Sequence, residues 1–292
     1  MQFLFLSIFF SLVLSCANTL ADPLANYYLE WRASESFYAG RHDLAEAQWD
    51  SLQQRVDTLT DHAAELGLTI QMYQNQPAAE AALFRQLSPR FQRRFCSKEW
   101  AELKPFCTNR PPLPPPTQPE YQSALDRLLL DSRAVDKRPS SSRHWRYQRD
   151  GTKIWNGPTA ASMAVQYDEL VNQFGPPTYR KVGREGMEAV LPILEQLDAS
   201  DSLQLNRLAV LETAARHRYI NAVQYAELYD RCQVQLNRMQ RYGTQYKPTI
   251  KEGIIEYYPI IEAERVDHRR RDLGVMPLAM HRRRIEARAN NK

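Results

Sequence analysis

Apolar residues recur at helical spacing along most of the chain. In Tyr121–Ala134 the residues Leu125, Leu128 and Leu129 share one face, and apolar positions three and four apart predict an amphipathic helix. A second helix is predicted over Ala160–Phe174, stopping at Gly175-Pro176-Pro177. Glycine accepts the backbone that ends a helix, and the prolines forbid its continuation. Gly186–Leu197 predicts another. Asp201 or Ser202 then caps a helix with Leu205, Leu208, Leu211 and Ala215 on one face. Asn221 with Gln224 gives a capping-box-like start to a helix that buries Tyr225, Leu228, Tyr229, Cys232 and Leu236 and should end near Gln240. Residues 137–158, rich in Arg, Ser and Gly with Trp145 and Trp155, read as an irregular excursion. No alternating pattern has comparable strength. The best candidate for a short extended piece is Gly253–Ile261, with Ile254, Ile255, Tyr257 and Tyr258. The predicted fold class is mainly α, with little or no sheet.

The first part of the chain repeats itself. Ala45-Glu46-Ala47 returns as Ala79-Glu80-Ala81, an offset of 34, and the same offset relates Ala33 to Gly67 and Trp49 to Leu83. Ala33, Gly40, Ala45 and Trp49 fall where a tetratricopeptide repeat places small, turn, small and large residues. Small residues let paired helices approach, and the large one fills the gap between them. An ordinary pair of helical hairpins fits the same pattern. Two such units do not bury enough surface to stand alone, so they should lean on residues 89–109 or on the C-terminal domain. Pro111, Pro112, Pro114, Pro115, Pro116 and Pro119 come next. A run this dense reads as a stiff spacer, dividing a helical module over 22–110 from a second helical domain over 120–280, with 111–119 as linker and 281–292 as a basic tail.

A chain of 292 residues is long enough for two cores. Phe3 to Leu14 is almost wholly apolar, too short to span a bilayer and placed like a signal-peptide core, although Met1-Gln2 supplies no Lys or Arg. Two processing sites fit. Thr19-Leu20-Ala21 before Asp22 suits a signal peptidase and gives a leader over 1–21; Val13-Leu14-Ser15-Cys16 is similar to a bacterial lipobox, which removes 1–15 and acylates Cys16. Either reading places the protein in the periplasm or bacterial envelope, in contact with membrane only through a lipid anchor. Export makes the remaining cysteines readable. Cys96 and Cys107, 11 positions apart around Trp100 and Pro105-Phe106, are either a disulfide or two buried thiols. A bridge closing so short a loop contributes roughly 3 kcal/mol. Cys232 lies on an apolar stripe and reads as a core thiol. The net charge of +4 is too small to argue nucleic acid, and the clusters Arg143–Arg149 and His281–Arg288 read as solvated faces.

Well-understood chemistry is missing from the sequence. There is no G-x-S-x-G elbow, phosphate-binding glycine loop or H-E-x-x-H, and no histidine stands at metal-ligand spacing from another His or Cys. No cofactor or metal is implied. What stands out is Asp230-Arg231, then Tyr242-Gly243-Thr244-Gln245, then Val266-Asp267 with Arg270 and Gly274. With Pro259-Ile260 and Gly274-Val275-Met276-Pro277-Leu278, where the family reads close to G-L-x-P-L, this order resembles the C-terminal half of a bacterial family catalogued only as a domain of unknown function. The resemblance covers about residues 120–280. It implies a helical domain with a D-R … Y-G-T-Q signature and names no activity. The chain departs from the family at Glu195-Gln196-Leu197-Asp198, where the family often has Q-H-A-D, and only partly matches its D-Q-x-x-R at Asp131-Ser132-Arg133. An amide at Gln196 cannot titrate as the family's histidine would.

The candidate polar site is therefore Asp198, Asp230, Arg231, Tyr242, Gly243, Thr244, Gln245, Asp267 and Arg270, with Gln204 six positions after Asp198. Gly243 would turn the chain back so that Tyr242, Thr244 and Gln245 sit over the end of the Asp230 helix. Asp267 and Arg270 share one side of a helical turn. Two arrangements satisfy these residues. One is a cleft in which carboxylates and a guanidinium bind a polar ligand or share acid–base work. The other is a buried network that fixes how the last helices dock. The corresponding functions are binding or assembly in the envelope through the N-terminal helices, or a hydrolase-like activity on a polar, cell-wall-derived substrate.

Overall fold

The computed structural model describes residues 22–56, 59–74, 77–87, 92, 96, 107, 115–137, 145–147, 153–155, 157–197, 202–247 and 255–290. The leader with Cys16, Trp100, Pro105 and Phe106, the prolines at 111, 112 and 114, Asp198, Asp201, and Gly253 and Ile254 of the expected extended piece lie outside these residues. Among the described residues the fold is mainly α, and no helix is long and apolar enough to cross a membrane. The chain divides into two compact units, Met1–Pro112 and Leu113–Lys292.

The first unit carries α1 (Pro23–Tyr38), α2 (His42–Gln53), α3 (Asp61–Tyr73) and α4 (Pro77–Gln86). Asp22 caps α1 by accepting from the Leu24 N–H at 2.9 Å, and Pro23 sits in the first turn, where no N–H is needed. The Thr60 hydroxyl caps α3 by accepting from the Ala63 N–H at 3.0 Å. Helices α1 and α2 pair, as do α3 and α4. Ala33, Ala45, Trp49, Leu52, Leu68 and Phe84 fill the core. The Trp49 ring lies directly on Gly67: a Cβ there would stand 2.2 Å from Trp49 Cζ2. That contact explains why glycine occupies a helical position where it is otherwise unfavourable. Cys96 and Cys107 are joined in a disulfide, Cα–Cα 5.7 Å, and both pack against this core.

The second unit contains α5 (Pro119–Lys137), a hairpin of β1 (Trp145–Tyr147) and β2 (Lys153–Trp155), α6 (Ala160–Phe174), α7 (Tyr179–Glu195), α8 (Ser202–Ala209), α9 (Glu212–Arg216), α10 (Ala222–Gln235), a 3-10 turn at Ala263–Arg265, α11 (Val266–Leu273) and α12 (Leu278–Asn290). Helix α5 packs along α7 and α6, while α10 packs on α8, α9 and α7. Tyr121, Leu125, Met163, Tyr167, Val190, Leu208 and Tyr225 meet in one core, in which Cys232 is also buried. Thr159 and Ser162 cap α6 reciprocally, and the Asn221 side chain accepts from the N–H groups of Val223 and Gln224 to open α10.

Several boundaries differ from the sequence expectation, each for a local reason. The C-terminal part of the 111–119 spacer belongs to the second unit: the Thr117 and Gln118 N–H groups donate to the Arg180 and Lys181 carbonyls at 3.0 and 2.9 Å, and Pro119 begins α5. Helix α7 consists of two pieces divided at Gly183, whose φ of +66° and ψ of −167° are not helical; the second corresponds to the helix expected from Gly186, and the turn from Tyr179 before it was not foreseen. Helix α10 ends at Gln235, five residues before Gln240, since Asn237 turns left-handed at φ +55°. The stretch read as irregular contains the antiparallel pair Trp145↔Trp155. The expected basic tail is helix α12, anchored where Met280 is buried, His281 Nδ1 lies 3.0 Å from the Tyr257 hydroxyl, and Arg282 donates to the Ile255 carbonyl at 3.0 Å.

Candidate functional site

The early end of α10 sets up the polar site. After Asn237 the chain doubles back, and residues 241–244 pass over the helix beside Asp230. The Asp230 carboxylate is fully buried, and donors from this one segment converge on it. Oδ1 accepts from the Arg241 N–H at 2.7 Å and the Tyr242 N–H at 3.0 Å. Oδ2 accepts from the Tyr242 N–H at 3.1 Å and from the N–H and hydroxyl of Thr244, each at 3.0 Å. Burial pushes the carboxyl up from its ordinary range, against the pull of these donors toward the charged form. Gly243 is required twice over. Its φ is +67°, and a Cβ would stand 2.9 Å from Ile260 Cδ1 and 3.0 Å from Leu278 Cδ1.

A frame holds the segment from outside. Gln240 accepts from the Gln245 N–H at 2.8 Å and donates to the carbonyls of Gln245 and Tyr258 at 2.9 and 2.7 Å. The Gln245 side chain donates to the Thr244 hydroxyl at 3.0 Å and to the Glu227 carbonyl at 3.2 Å. Arg270, buried on α11, donates to the Tyr242 carbonyl at 2.5 Å and the Met276 carbonyl at 2.6 Å. Arg269 donates to the Arg241 carbonyl at 2.8 Å and also to that of Ile261. Asp267 faces the start of α12, where it accepts from the Leu278 N–H at 2.7 Å.

The structure thus brings together Asp230, Tyr242, Gly243, Thr244, Gln245 and Arg270. Asp267 belongs to the next joint, between α11 and α12. Arg231 points elsewhere: it is half-buried and acts on Glu227, whose carboxyl burial and the neighbouring Glu195 push up. Asp198 lies outside the described residues, and Gln204 is buried, donating to the Leu194 carbonyl at 2.7 Å. The contacts at Asp230 are those of a network that docks a loop on a helix. Among the described residues no group of three or more His, Cys, Asp or Glu side chains could hold a metal ion.

Two further polar places did not stand out in the sequence. On the far side of the Arg241–Thr244 segment, the rings of Tyr225, Tyr229 and Tyr242 meet edge-on or tilted at 5.9–6.2 Å. Glu212 beside them accepts from Arg216 at 2.8 Å and Arg241 at 3.1 Å. The Tyr225 and Tyr242 hydroxyls are buried without a normal hydrogen bond, and burial pushes both above the usual tyrosine range. Glu212 and Arg216 are four apart on one helix, a spacing the sequence carries, whereas their partner Arg241 is 29 residues from Glu212.

The second place is a groove of about 330 Å³ between α6 and α8, lined by residues of both helices. Beside it Arg207 forms a two-pronged ion pair with Asp168, Nε to Oδ1 at 2.8 Å and Nη2 to Oδ2 at 2.6 Å. Asp168 and Arg207 come from helices 39 residues apart, so no local spacing announced them. The chain matches no family model, no curated protein and no solved structure.

Proposed function

We propose that the protein is an exported component of the bacterial envelope that works by binding or assembly, with its N-terminal helices as the surface for a protein partner. The observation that carries this reading is the state of Asp230. A carboxylate in acid–base work must offer an oxygen to its substrate, whereas both Asp230 oxygens are already engaged by the backbone of residues 241–244 and the Thr244 hydroxyl. On this reading the D-R … Y-G-T-Q resemblance over residues 120–280 marks a scaffold. Export rests on the leader over 1–21 or the lipobox at Cys16, and the Cys96–Cys107 disulfide suits an oxidising compartment.

A patch on the first unit supports the partner surface. Phe37 and Tyr38 at the end of α1, His42 at the start of α2 and Tyr73 at the end of α3 form one group of rings, with His42 stacked on Tyr73 at 4.0 Å. Tyr38 is 78% exposed and Tyr73 62%. Exposed aromatic residues on fixed helix ends are the kind of anchor that protein interfaces favour. The pairing of Ala33, Ala45, Trp49 and Gly67 suits a tetratricopeptide-like module that presents such a surface.

Site-specific photocrosslinking in the native host tests the reading. A photoreactive residue at position 38 or 73 should give one discrete protein adduct, and the same residue at exposed Asp50 should not. The competing reading is a hydrolase-like enzyme using Asp, Tyr and Arg side chains of the second unit. No adduct, together with an Asp230→Asn variant that melts like the parent but no longer complements deletion of the protein, would favour the enzyme instead.

A further inference from the structure

The rings that meet at the ends of α1 and α3 sit in an acidic part of the chain. Residues 22–87 hold ten Asp or Glu against four Lys or Arg, although the whole chain has a net charge of +4. Helices α1 and α3 end at Tyr38 and Tyr73, and neither carries a basic residue in its last turn. A helix C-terminus presents the negative end of its dipole and favours a cation. Helix α2 begins at the same rings, and Asp43 in its first turn answers the positive end it brings. Glu35 stands three positions before Tyr38 and Glu46 four positions after His42, so each lies on the ring-bearing face of its helix. Against these three carboxylates, Arg41 in the turn between α1 and α2 is the basic residue nearest in the sequence.

The rings are held in position and yet open. Phe37 meets Tyr38, His42 and Tyr73 edge-on at 5.0–6.0 Å, and His42 stacks on Tyr73. Tyr38 and Tyr73 nevertheless stay mostly exposed. An exposed tyrosine ring attracts a cation through the negative charge of its face, and a ring already fixed by its neighbours loses little freedom on binding. A planar guanidinium stacks on such a ring while its N–H fork reaches a carboxylate beside it, a combination an ammonium does not match. An acidic or wholly apolar segment gains nothing from this charge pattern. A neutral sugar could stack on the rings but would not sense it.

We infer that the partner presents an arginine to this patch, its guanidinium stacked on the exposed tyrosine rings and drawn in by Glu35, Asp43, Glu46 and the two helix ends. The inference rests on the reading of these helices as a partner surface and adds the chemistry of what they recognise.

The probe is N-acetyl-arginine-N-methylamide, titrated into the full mature chain with its disulfide formed while the tyrosine ring signals are followed by NMR. For so small a ligand the dissociation constant should be roughly millimolar. The signals of Tyr38 and Tyr73, identified from Tyr38→Phe and Tyr73→Phe, should shift, and those of tyrosines in the second unit should not. The neutral isostere N-acetyl-citrulline-N-methylamide should bind about tenfold more weakly. Replacing both Glu35→Gln and Glu46→Gln should weaken the arginine probe about fivefold, whereas Asp50→Asn should leave it unchanged. Equal binding of the citrulline probe, undiminished binding in the double variant, shifts of the same size on other tyrosines, or the same ring shifts from N-acetylglucosamine would overturn the inference. The partner reading fails separately, through the absence of a photoadduct at positions 38 and 73 in the host. A discrete adduct with no arginine binding would keep the partner surface and overturn the arginine; arginine binding as expected with no adduct would support the cation site and remove its protein partner.

Discussion

Asp230 and the α6–α8 groove are both built from helices of the second unit, and both contain buried polar atoms. At Asp230 the acceptors and donors match: one carboxylate meets the N–H groups of Arg241, Tyr242 and Thr244 and the Thr244 hydroxyl. Beside the groove a strong ion pair is satisfied, whereas the Tyr121 and Tyr167 hydroxyls, wholly buried in the core, are not. Buried charge alone therefore does not identify a working site. A saturated charge fixes architecture, because its removal strands several partners at once. An unmatched hydroxyl sealed in the core fixes nothing and only costs stability.

The comparison breaks first at Asp230. Asp230→Ala should destabilise the protein by about 2–4 kcal/mol in urea unfolding, because it leaves three buried N–H groups unpaired; a change under about 0.5 kcal/mol would mean that water replaces the carboxylate without loss. Arg270→Ala should cost about 2 kcal/mol by freeing the Tyr242 and Met276 carbonyls. Since both residues hold the same segment, the double variant should be less destabilised than the sum, with a coupling of at least about 0.5 kcal/mol. Strict additivity would separate Arg270 from the Asp230 network. At the groove the sign reverses. Tyr167→Phe removes an unmatched hydroxyl and should leave stability unchanged or raise it by up to about 1 kcal/mol. A clear loss would show that an ordered water already pairs the hydroxyl. Leu203→Asp should stay within about 0.5 kcal/mol of the parent, as expected at an exposed position.

Much of the helical framework was legible in the sequence because it is local. The helix near Ala160–Phe174 was legible together with its stop at Gly175-Pro176-Pro177, and Asn221 opens α10 as its side chain suggests. The misreadings come from backbone geometry that an apolar pattern does not encode. The stripe through Leu236 continues past Gln235, but the left-handed Asn237 ends the helix. The helix expected from Gly186 is preceded by a further turn from Tyr179, with the non-helical Gly183 between the two pieces. At the site, the family resemblance and the turn expected at Gly243 grouped Tyr242, Gly243 and Thr244 with Asp230. Their backbone role could not be seen, because main-chain N–H groups carry no residue signature. The Asp168–Arg207 pair and the Tyr121–Tyr167 hydroxyls are long-range products of packing α5, α6 and α8 around one core.

The central claim is that the Asp230 carboxylate clamps the 241–244 segment as part of the folded core. Native-state hydrogen exchange at the amides of Tyr242 and Thr244 tests it most directly, since both N–H groups donate to that carboxylate. Both amides should be protected within about tenfold of the Leu228 amide inside α10, meaning that the segment opens only with the helix it covers. Exchange at both amides near the rate of an unstructured loop, while Leu228 remains protected, would contradict it and make the segment a movable cover over Asp230.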